Sequence, residues 1–231
     1  MRKLGLIGGM SWVSTRTYYS YINSRVQARR DRRSSAPMLI DSLDFSELYA
    51  LQAQDDWDRA TSKLIESAQR LEQAGAGALI IGANSMHRVY DRVAESVSVP
   101  ILHIADCVGK KMVDDGITNA AVIGTSNVMT ESFFRQRLVA HGIDLLPPEM
   151  DNVQELDRII YEELMVGKAT RDAQRKLKTM ITVKEQEGAK AIVLACTELE
   201  QIVDVDANVL PIYDTTHIHA MRAAEWILGQ D

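Results

Sequence analysis

The sequence predicts an α/β fold made of two pseudo-symmetric, three-layer lobes with mainly parallel sheets. Short apolar runs alternate with longer amphipathic stretches along the 231 residues, which is typical of parallel strands joined by helices. The stretch 74–85 (AGAGALIIGANS) also aligns without gaps on 187–198 (EGAKAIVLACTE). Two further pairs keep this order at nearly constant spacing: 4–8 with 120–124, and Pro100 with Pro211. We therefore interpret the chain as one α/β unit present twice.

Seven short aliphatic runs are predicted to be strands, and three of them lead directly into a glycine turn. They are 3–7, 38–43, 78–81, 101–103, 120–123, 191–195 and 209–212. Seven longer stretches are predicted to be helices, with the clearest helical spacing at Ala60, Leu64, Ala68 and Leu71. They are about 13–31, 56–73, 104–115, 130–141, 151–165, 169–187 and 215–228.

The repeat divides the chain into lobe one, 1–100 plus 209–231, and lobe two, 101–208. No Gly/Ser-rich linker separates them, so we expect the lobes to be joined tightly. Ligands of open α/β sheets bind beyond the carboxyl ends of the strands. We therefore expect a site in an interlobe cleft, where the matching strand ends of the two copies face each other.

The composition is that of an ordinary globular protein, with 46% hydrophobic and 25% charged residues. A net charge of −6 argues against nucleic-acid or anionic-membrane partners. No apolar run reaches the roughly 18 residues of a membrane span, and the first residues lead straight into a strand without a secretory signal. Two cysteines do not make a disulfide framework, so we expect free thiols and a cytoplasmic location.

The candidate catalytic residue is Cys196, which follows four apolar residues at the end of a predicted strand. The matching position in the first copy is Ala83. A buried cysteine that packs as a small hydrophobic residue is the alternative interpretation. At a strand end, backbone N–H groups and a following helix N-terminus are expected to lower the thiol pKa. A thiolate there could take a proton from carbon or attack an electrophile.

Short polar pairs, Asn84–Ser85 and Thr197–Glu198, occupy matching strand ends. They either cap helices or bind the charged ends of a small polar substrate. Glu198 could face an ammonium group, and Gln52 and Thr125 could add hydrogen bonds.

The turn after the first strand and the histidines give weaker indications of function. The turn Gly8–Ser11 lacks the third glycine of a dinucleotide site, so we expect its backbone N–H groups to approach a carboxylate instead. The histidines show no spacing of a metal site, although His87 and His219 could lie near the substrate.

Five segments together resemble the aspartate/glutamate racemase family, and the resemblance covers essentially the whole chain. They are GLIGGMSW near the N-terminus, GANSMH at 82–87, HIAD at 103–106, IGT at 123–125 and ACTE at 195–198. The resemblance implies two α/β lobes, a site in the cleft, no pyridoxal phosphate or metal, and a homodimer. It also implies two cysteines, one on each face of the substrate α-carbon, that remove and return a proton. The residues expected to hold the substrate are Met10, Gln52, Asn84, Ser85, Thr125, Thr197 and Glu198.

This chain departs from the family pattern at one catalytic position. Where the family has Cys-Asn-Thr, the sequence has Ala83, Asn84 and Ser85, whereas Cys196 is retained. A methyl group carries no proton, and loss of a positioned acid or base costs about 10²- to 10⁴-fold. The sequence therefore predicts a cofactor-independent racemase of aspartate or glutamate that is one-sided or impaired. The alternatives are a one-thiol decarboxylase or isomerase of a dicarboxylate, and a non-catalytic dicarboxylate binder.

Overall fold

The computed structural model describes residues 1–148, 150, 152–203 and 208–230. The chain forms two compact units: Met1–Ile104 with His219–Asp231 is the first, and Ala105–Ile218 is the second. Each unit contains a four-stranded sheet whose strand pairs are all parallel among the described residues. The predicted α/β class with two similar lobes is confirmed.

The sheet of the first unit has β1 at its centre, in the order β2-β1-β3-β4. The strands are β1 (Leu4–Gly8), β2 (Met38–Ser42), β3 (Ala78–Ile81) and β4 (Ile101–Leu102). The helices that follow these strands within the unit are α1 (Trp12–Arg29), α2 (Phe45–Ala53), α3 (Trp57–Gln73) and α4 (Tyr90–Ala94). β1 and β3 are buried along their whole length, which explains why both are continuous aliphatic runs in the sequence.

Side chains alternate between the two faces of this sheet, so each face has its own core. On one face Ile7 and Leu79 pack with Leu64 of α3 and with residues of α2. On the other, Leu4 and Leu6 pack with α1 and with α10 (Thr215–Leu228), the last helix of the chain. Helices on both faces of a parallel sheet make the three layers that the alternating pattern predicts.

The second unit repeats this topology in the order β6-β5-β7-β8. Its strands are β5 (Asn119–Gly124), β6 (Asp144–Leu145), β7 (Ile192–Ala195) and β8 (Ile212–Asp214). Its helices are α5 (Ile104–Asp114), α6 (Ser126–Thr130), α7 (Ser132–Ala140), α8 (Val153–Arg158) and α9 (Arg171–Gln186). A π-helical turn, Ile159–Glu163, and a 3₁₀ turn, Leu164–Val166, continue from α8.

Equivalent backbone hydrogen bonds confirm the register of the sequence repeat. The N–H of Leu79 donates to the carbonyl of Pro100, and the N–H of Ile192 donates to that of Pro211, both at 2.9 Å. The glycines after α3 and α9, Gly75 and Gly188, both have positive φ, at 88° and 101°. These residues are partners in the ungapped alignment, so the two copies share structure as well as sequence.

The unit boundaries differ from the predicted division at 100/101 and 208/209. β4 pairs with β3 and stays in the first sheet, whereas β8 pairs with β7 and stays in the second. The fourth strand of each sheet therefore precedes the change of unit, because hydrogen bonding ties it to its own sheet. Residues 204–207, in predicted lobe two, and 151, where a helix was predicted to begin, lie outside the described residues.

The sequence also missed four short elements and shifted one strand. The missed elements are β6, α2, α4 and α6, which have between two and nine residues. Elements of this length have too few turns or alternations to show a period. The strand predicted at 209–212 begins only at Ile212, directly after Pro211, whose nitrogen has no hydrogen to donate to a neighbouring strand.

Candidate active site

Cys196 lies where the sequence predicted, one residue beyond the carboxyl end of β7. The last pair of β5 and β7 is Gly124 with Ala195, so Thr125 and Cys196 follow next to each other at the edge of the sheet. A Cβ on residue 124 would lie 2.6 Å from the carbonyl oxygen of Ala195. The close approach of the two strands beneath the thiol therefore requires glycine at this position.

The side chain of Glu198 folds back onto Cys196. The Cys196 thiol donates to Oε2 of Glu198 at 3.3 Å, and the Thr197 hydroxyl donates to the same oxygen at 2.6 Å. Cys196 and Thr197 are each 5% exposed and Glu198 is 1% exposed, so the group has almost no contact with bulk water. The structure thus brings together three predicted site residues, with a carboxylate aimed at the sulfur.

Burial raises the pKa of the Cys196 thiol well above its usual value, and the negative charge of Glu198 raises it further. Backbone N–H groups of Glu198 and Leu199 act in the opposite direction, but they do not outweigh burial. The expected lowering of the thiol pKa is therefore wrong. Only a three-residue 3₁₀ turn, Leu199–Gln201, follows the cysteine, so no helix N-terminus of useful length faces the sulfur.

Thr125 is buried at the start of α6, next to the end of β7, the strand that precedes Cys196. Its hydroxyl donates to Oδ1 of Asn127 at 2.7 Å, and the N–H of Ser126 donates to Oδ1 of Asp157 at 2.9 Å. These bonds fix the loop after β5. Asn127 and Asp157 were not singled out in the sequence, although an asparagine two residues after Gly-Thr is a recognisable turn signal.

Five predicted residues of the first unit lie around the segment that follows β3. Ala83 and Met10 are buried in one apolar cluster with Met86. Gln52, on α2, places its amide nitrogen 3.6 Å from the sulfur of Met86. Asn84 is buried, and Ser85 is half-buried at the start of a 3₁₀ turn, Ser85–Val89. The methyl group of Ala83 thus stands at the strand end that matches Cys196 in the repeat.

The turn after β1 uses its glycines for packing. Gly9 has φ of +83°, and a Cβ on it would lie 2.0 Å from the carbonyl oxygen of Leu43. Its N–H donates to the hydroxyl of Thr15 at 2.7 Å, and Ser11 caps α1 by accepting from the N–H of Ser14. The Gly9 N–H is therefore used within the fold, and an approach of the other N–H groups of this turn to a carboxylate stays a prediction.

Three buried histidines of the first unit lie close together beside Ala83. The ring centroids of His87 and His103 are 4.5 Å apart, and those of His87 and His219 are 6.1 Å apart. The sequence singled out His87 and His219 but not His103, which directly follows β4 and so occupies a strand-end position.

Hydrogen bonds assign a neutral tautomer to His87 and to His219. Nε2 of His87 accepts from the N–H of Ile104 at 3.3 Å, so Nδ1 donates to the carbonyl of Ala83 at 2.8 Å. His219 donates from Nε2 to the carbonyl of Leu102 and accepts from the Tyr18 hydroxyl at Nδ1, both at 2.9 Å. Burial lowers the pKa of His219 to about 4. Both histidines thus support the strand ends of the first sheet.

Two negative findings apply to the part of the chain that the structure describes. It contains no group of three or more His, Cys, Asp or Glu side chains placed to hold a metal ion. Within the same residues, no helix is both long and apolar enough to cross a membrane.

Comparison with known proteins gives the family. The sequence profile of the Asp/Glu/hydantoin racemases matches residues 7–223. The chain belongs to this family. Among curated racemases, the broad specificity amino-acid racemase RacX of Bacillus subtilis (strain 168) is 24% identical over 161 residues, which are 70% of this chain and 69% of RacX.

Two solved structures resemble this racemase-family chain over its whole length. A Yersinia pestis protein provisionally named an Asp/Glu racemase is 38% identical, with a TM-score of 0.91 over 99% of this chain and 100% of the other. An aspartate racemase homologue from Pyrococcus horikoshii OT3 is 29% identical, with a TM-score of 0.84 over 99% and 100%. The two-lobed α/β fold is therefore that of the racemase family.

Proposed function

We propose that this protein is a cofactor-independent racemase of acidic amino acids in which Cys196 is the acid/base. The observation that carries the proposal is the Cys196 thiol, hydrogen-bonded to a buried carboxylate at a strand end of a racemase-family fold. In parallel α/β sheets, this edge is where ligands bind.

The proposed reaction begins when the thiolate of Cys196 removes the proton from the substrate α-carbon. The C–H bond breaks, its electron pair stays on carbon as a carbanion stabilised by the carboxylate, and the sulfur becomes a thiol. The thiol then exchanges its proton with solvent, and return of a proton from the same sulfur restores the original enantiomer with solvent hydrogen incorporated. Inversion needs a proton on the other face, and the alanine at position 83 carries none. Water then supplies it, and the hydroxide that remains takes the thiol proton of Cys196, which restores the thiolate. We expect inversion to be slower than exchange by about 10²- to 10⁴-fold.

Substrate binding is assigned to polar groups at both strand ends. We propose that Asn84, Ser85 and Thr197 hold the substrate carboxylates and ammonium, together with Gln52 and Thr125. The buried Met10 and Ala83 supply an apolar wall. The choice of an acidic amino acid rests on the resemblance to the aspartate racemase homologue, whereas the name of RacX supports amino acids in general. That the residues of both units address one substrate carbon stays a prediction.

The remaining parts of the proposal concern the protein's surroundings. We propose a homodimer, by resemblance to the family, and a cytoplasmic location, because Cys107 and Cys196 are not joined in a disulfide. The net charge of −6 supports a small-molecule substrate rather than a nucleic-acid or membrane partner.

Hydrogen exchange at the α-carbon tests the proposal directly. The enantiomers of aspartate and glutamate are incubated with the protein in D₂O, and loss of the α-proton signal is followed by NMR. We expect exchange by the wild type, its loss in Cys196→Ala, and its retention in Cys107→Ala, which removes the second cysteine of the chain. No exchange with any of the four amino acids, or full exchange in Cys196→Ala, contradicts the proposal.

A second candidate is a one-thiol decarboxylase or isomerase of a dicarboxylate. The raised pKa of Cys196 favours it, because a thiol that stays protonated suits a reaction in which the sulfur gives a proton to a carbanion. Release of CO₂ from substituted malonates, or turnover of maleate, by a protein that exchanges no amino acid would support this candidate. Tight dicarboxylate binding that persists in Cys196→Ala, without turnover, would instead indicate a binding protein.

A further inference from the structure

We propose that Glu198 is a positioning residue that acts through Cys196, by accepting the thiol proton when the sulfur becomes the base. The inference rests on the proposed function, since it concerns how Cys196 gains the form that removes an α-proton. It gives Glu198 a different role from the ammonium contact expected from the sequence.

The geometry of the pair supports a proton path from sulfur to oxygen. Oε2 of Glu198 accepts from the Cys196 thiol at 3.3 Å, so a donor and an acceptor of one proton are already in contact. The Thr197 hydroxyl donates to the same oxygen at 2.6 Å, which holds it in this orientation. A carboxylate turned toward an ammonium group would have to leave both donors.

Burial explains why the proton must be accepted nearby. Cys196 is 5% exposed, and its raised pKa means that the sulfur is a thiol at neutral pH. Losing the proton to bulk water would leave two buried negative charges, the thiolate and the carboxylate, side by side. Moving the proton from sulfur to Glu198 keeps the charge of the pair constant and avoids that cost.

Proton transfer from Cys196 to Glu198 conserves atoms and charge. The S–H bond breaks and an O–H bond forms on Glu198, which gives a thiolate beside a neutral carboxylic acid. The thiolate then takes the α-proton and becomes a thiol again, while Glu198 keeps the first proton and the substrate holds the carbanion. When the carbanion is reprotonated by the sulfur, the carboxylic acid returns its proton to the thiolate.

Glu198→Gln separates this role from a purely structural one. The amide oxygen can accept from both Cys196 and Thr197, but it cannot take up the thiol proton. We expect α-proton exchange to fall about 10²- to 10⁴-fold. At the same time the pKa of the Cys196 thiol, measured from the pH dependence of iodoacetamide alkylation in a Cys107→Ala background, falls because the neighbouring negative charge is gone. The sulfur thus becomes more reactive with the reagent while catalysis is lost.

Glu200→Gln is the matched control, because Glu200 lies in the same turn and is more exposed than Glu198. It is expected to change neither readout by more than about twofold. Circular dichroism and thermal unfolding monitor the fold of each variant. Glu198→Asp provides a second test that keeps the charge. Its carboxylate is one methylene shorter and withdraws from the sulfur, so we expect at least a tenfold loss of exchange.

The outcomes distinguish this inference from the proposed function. If the wild type exchanges no amino acid, the proposed function fails, and the alkylation profile still reports whether Glu198 controls the thiol. If the wild type exchanges its substrate but Glu198→Gln and Glu198→Asp both retain exchange within about threefold, the inference is overturned. An alkylation pKa that is unchanged or higher in Glu198→Gln overturns it as well.

Discussion

His219 makes the stability of the first unit depend on pH. Both ring nitrogens are hydrogen-bonded, to the Leu102 carbonyl and to the Tyr18 hydroxyl, and the side chain is fully buried. Burial lowers its pKa to about 4 from an ordinary 6.5. Protonation would leave a buried charge and convert Nδ1 from an acceptor into a donor facing Tyr18.

The size of the effect follows from the difference in pKa between the unfolded and folded chain. The unfolded chain binds the proton near pH 6.5 and the folded chain only near pH 4, so the stability that neutral His219 provides is complete above 6.5 and is lost as pH falls toward 4. At about 1.36 kcal/mol per pKa unit, the full loss is roughly 3 kcal/mol. Between pH 7 and pH 5 it is about 2 kcal/mol.

Tryptophan fluorescence during urea unfolding measures this loss of stability in the first unit, which contains His219. All three tryptophans, Trp12, Trp57 and Trp226, belong to the first unit, as His219 does. The free energy of unfolding is compared at pH 7 and pH 5 for the wild type, for His219→Gln and for His217→Gln, whose side chain is exposed. His219→Gln costs about 1–3 kcal/mol at pH 7, because the hydrogen bond between Tyr18 and His219 is lost, but the stability of this variant changes less with pH.

An equal loss of stability between pH 7 and pH 5 in His219→Gln and in the wild type would show that His219 is not the titrating group. Removal of the pH dependence by His217→Gln, rather than by His219→Gln, would show the same.

Two further predictions concern single positions. Ala83→Cys is expected to raise the rate of aspartate or glutamate inversion at least about tenfold, because it supplies the second proton carrier. Chiral chromatography measures this rate. An equal gain in Ala83→Ser would show that the thiol is not responsible. Gly9→Ala is expected to cost about 3 kcal/mol or more in urea unfolding, because its Cβ would lie 2.0 Å from the Leu43 carbonyl oxygen. Gly75 also has positive φ, but a Cβ there would meet only the end of the flexible Lys3 side chain, at 3.7 Å. Gly75→Ala should therefore cost only about 1–2 kcal/mol, and equal costs for the two would contradict the steric argument.

The sequence predicted the fold well where burial is continuous. β1, β3, β5 and β7 are the buried central strands, and each is an aliphatic run whose end can be placed to within a residue or so. α2 was missed although Asp44 caps it by accepting from the N–H of Ser46, a signal present in the sequence. β6 has two residues, and no local pattern specifies so short a strand.

For the candidate site, the sequence predicted which residues are present but not how their side chains are arranged. Spacing from the strand ends identified Cys196 and Glu198, but the direction of the Glu198 side chain depends on a rotamer within a tight turn. The thiol pKa depends on burial, which the local sequence does not report. The cluster of His87, His103 and His219 is formed by residues from different parts of the chain, so only the tertiary structure shows it.

α10 follows a strand of the second sheet but packs against the first, and this has a consequence for synthesis on the ribosome. Leu4, Leu6 and Tyr18 pack against Ala223 and Ile227 of α10, and Arg2 donates to the Trp226 carbonyl at 2.7 Å. One apolar face of the first strand therefore stays uncovered until α10 has been synthesised. A nascent chain stalled before α10 would keep this apolar surface exposed and be prone to aggregate. A variant that lacks α10 should therefore aggregate rather than fold as a slightly shorter protein.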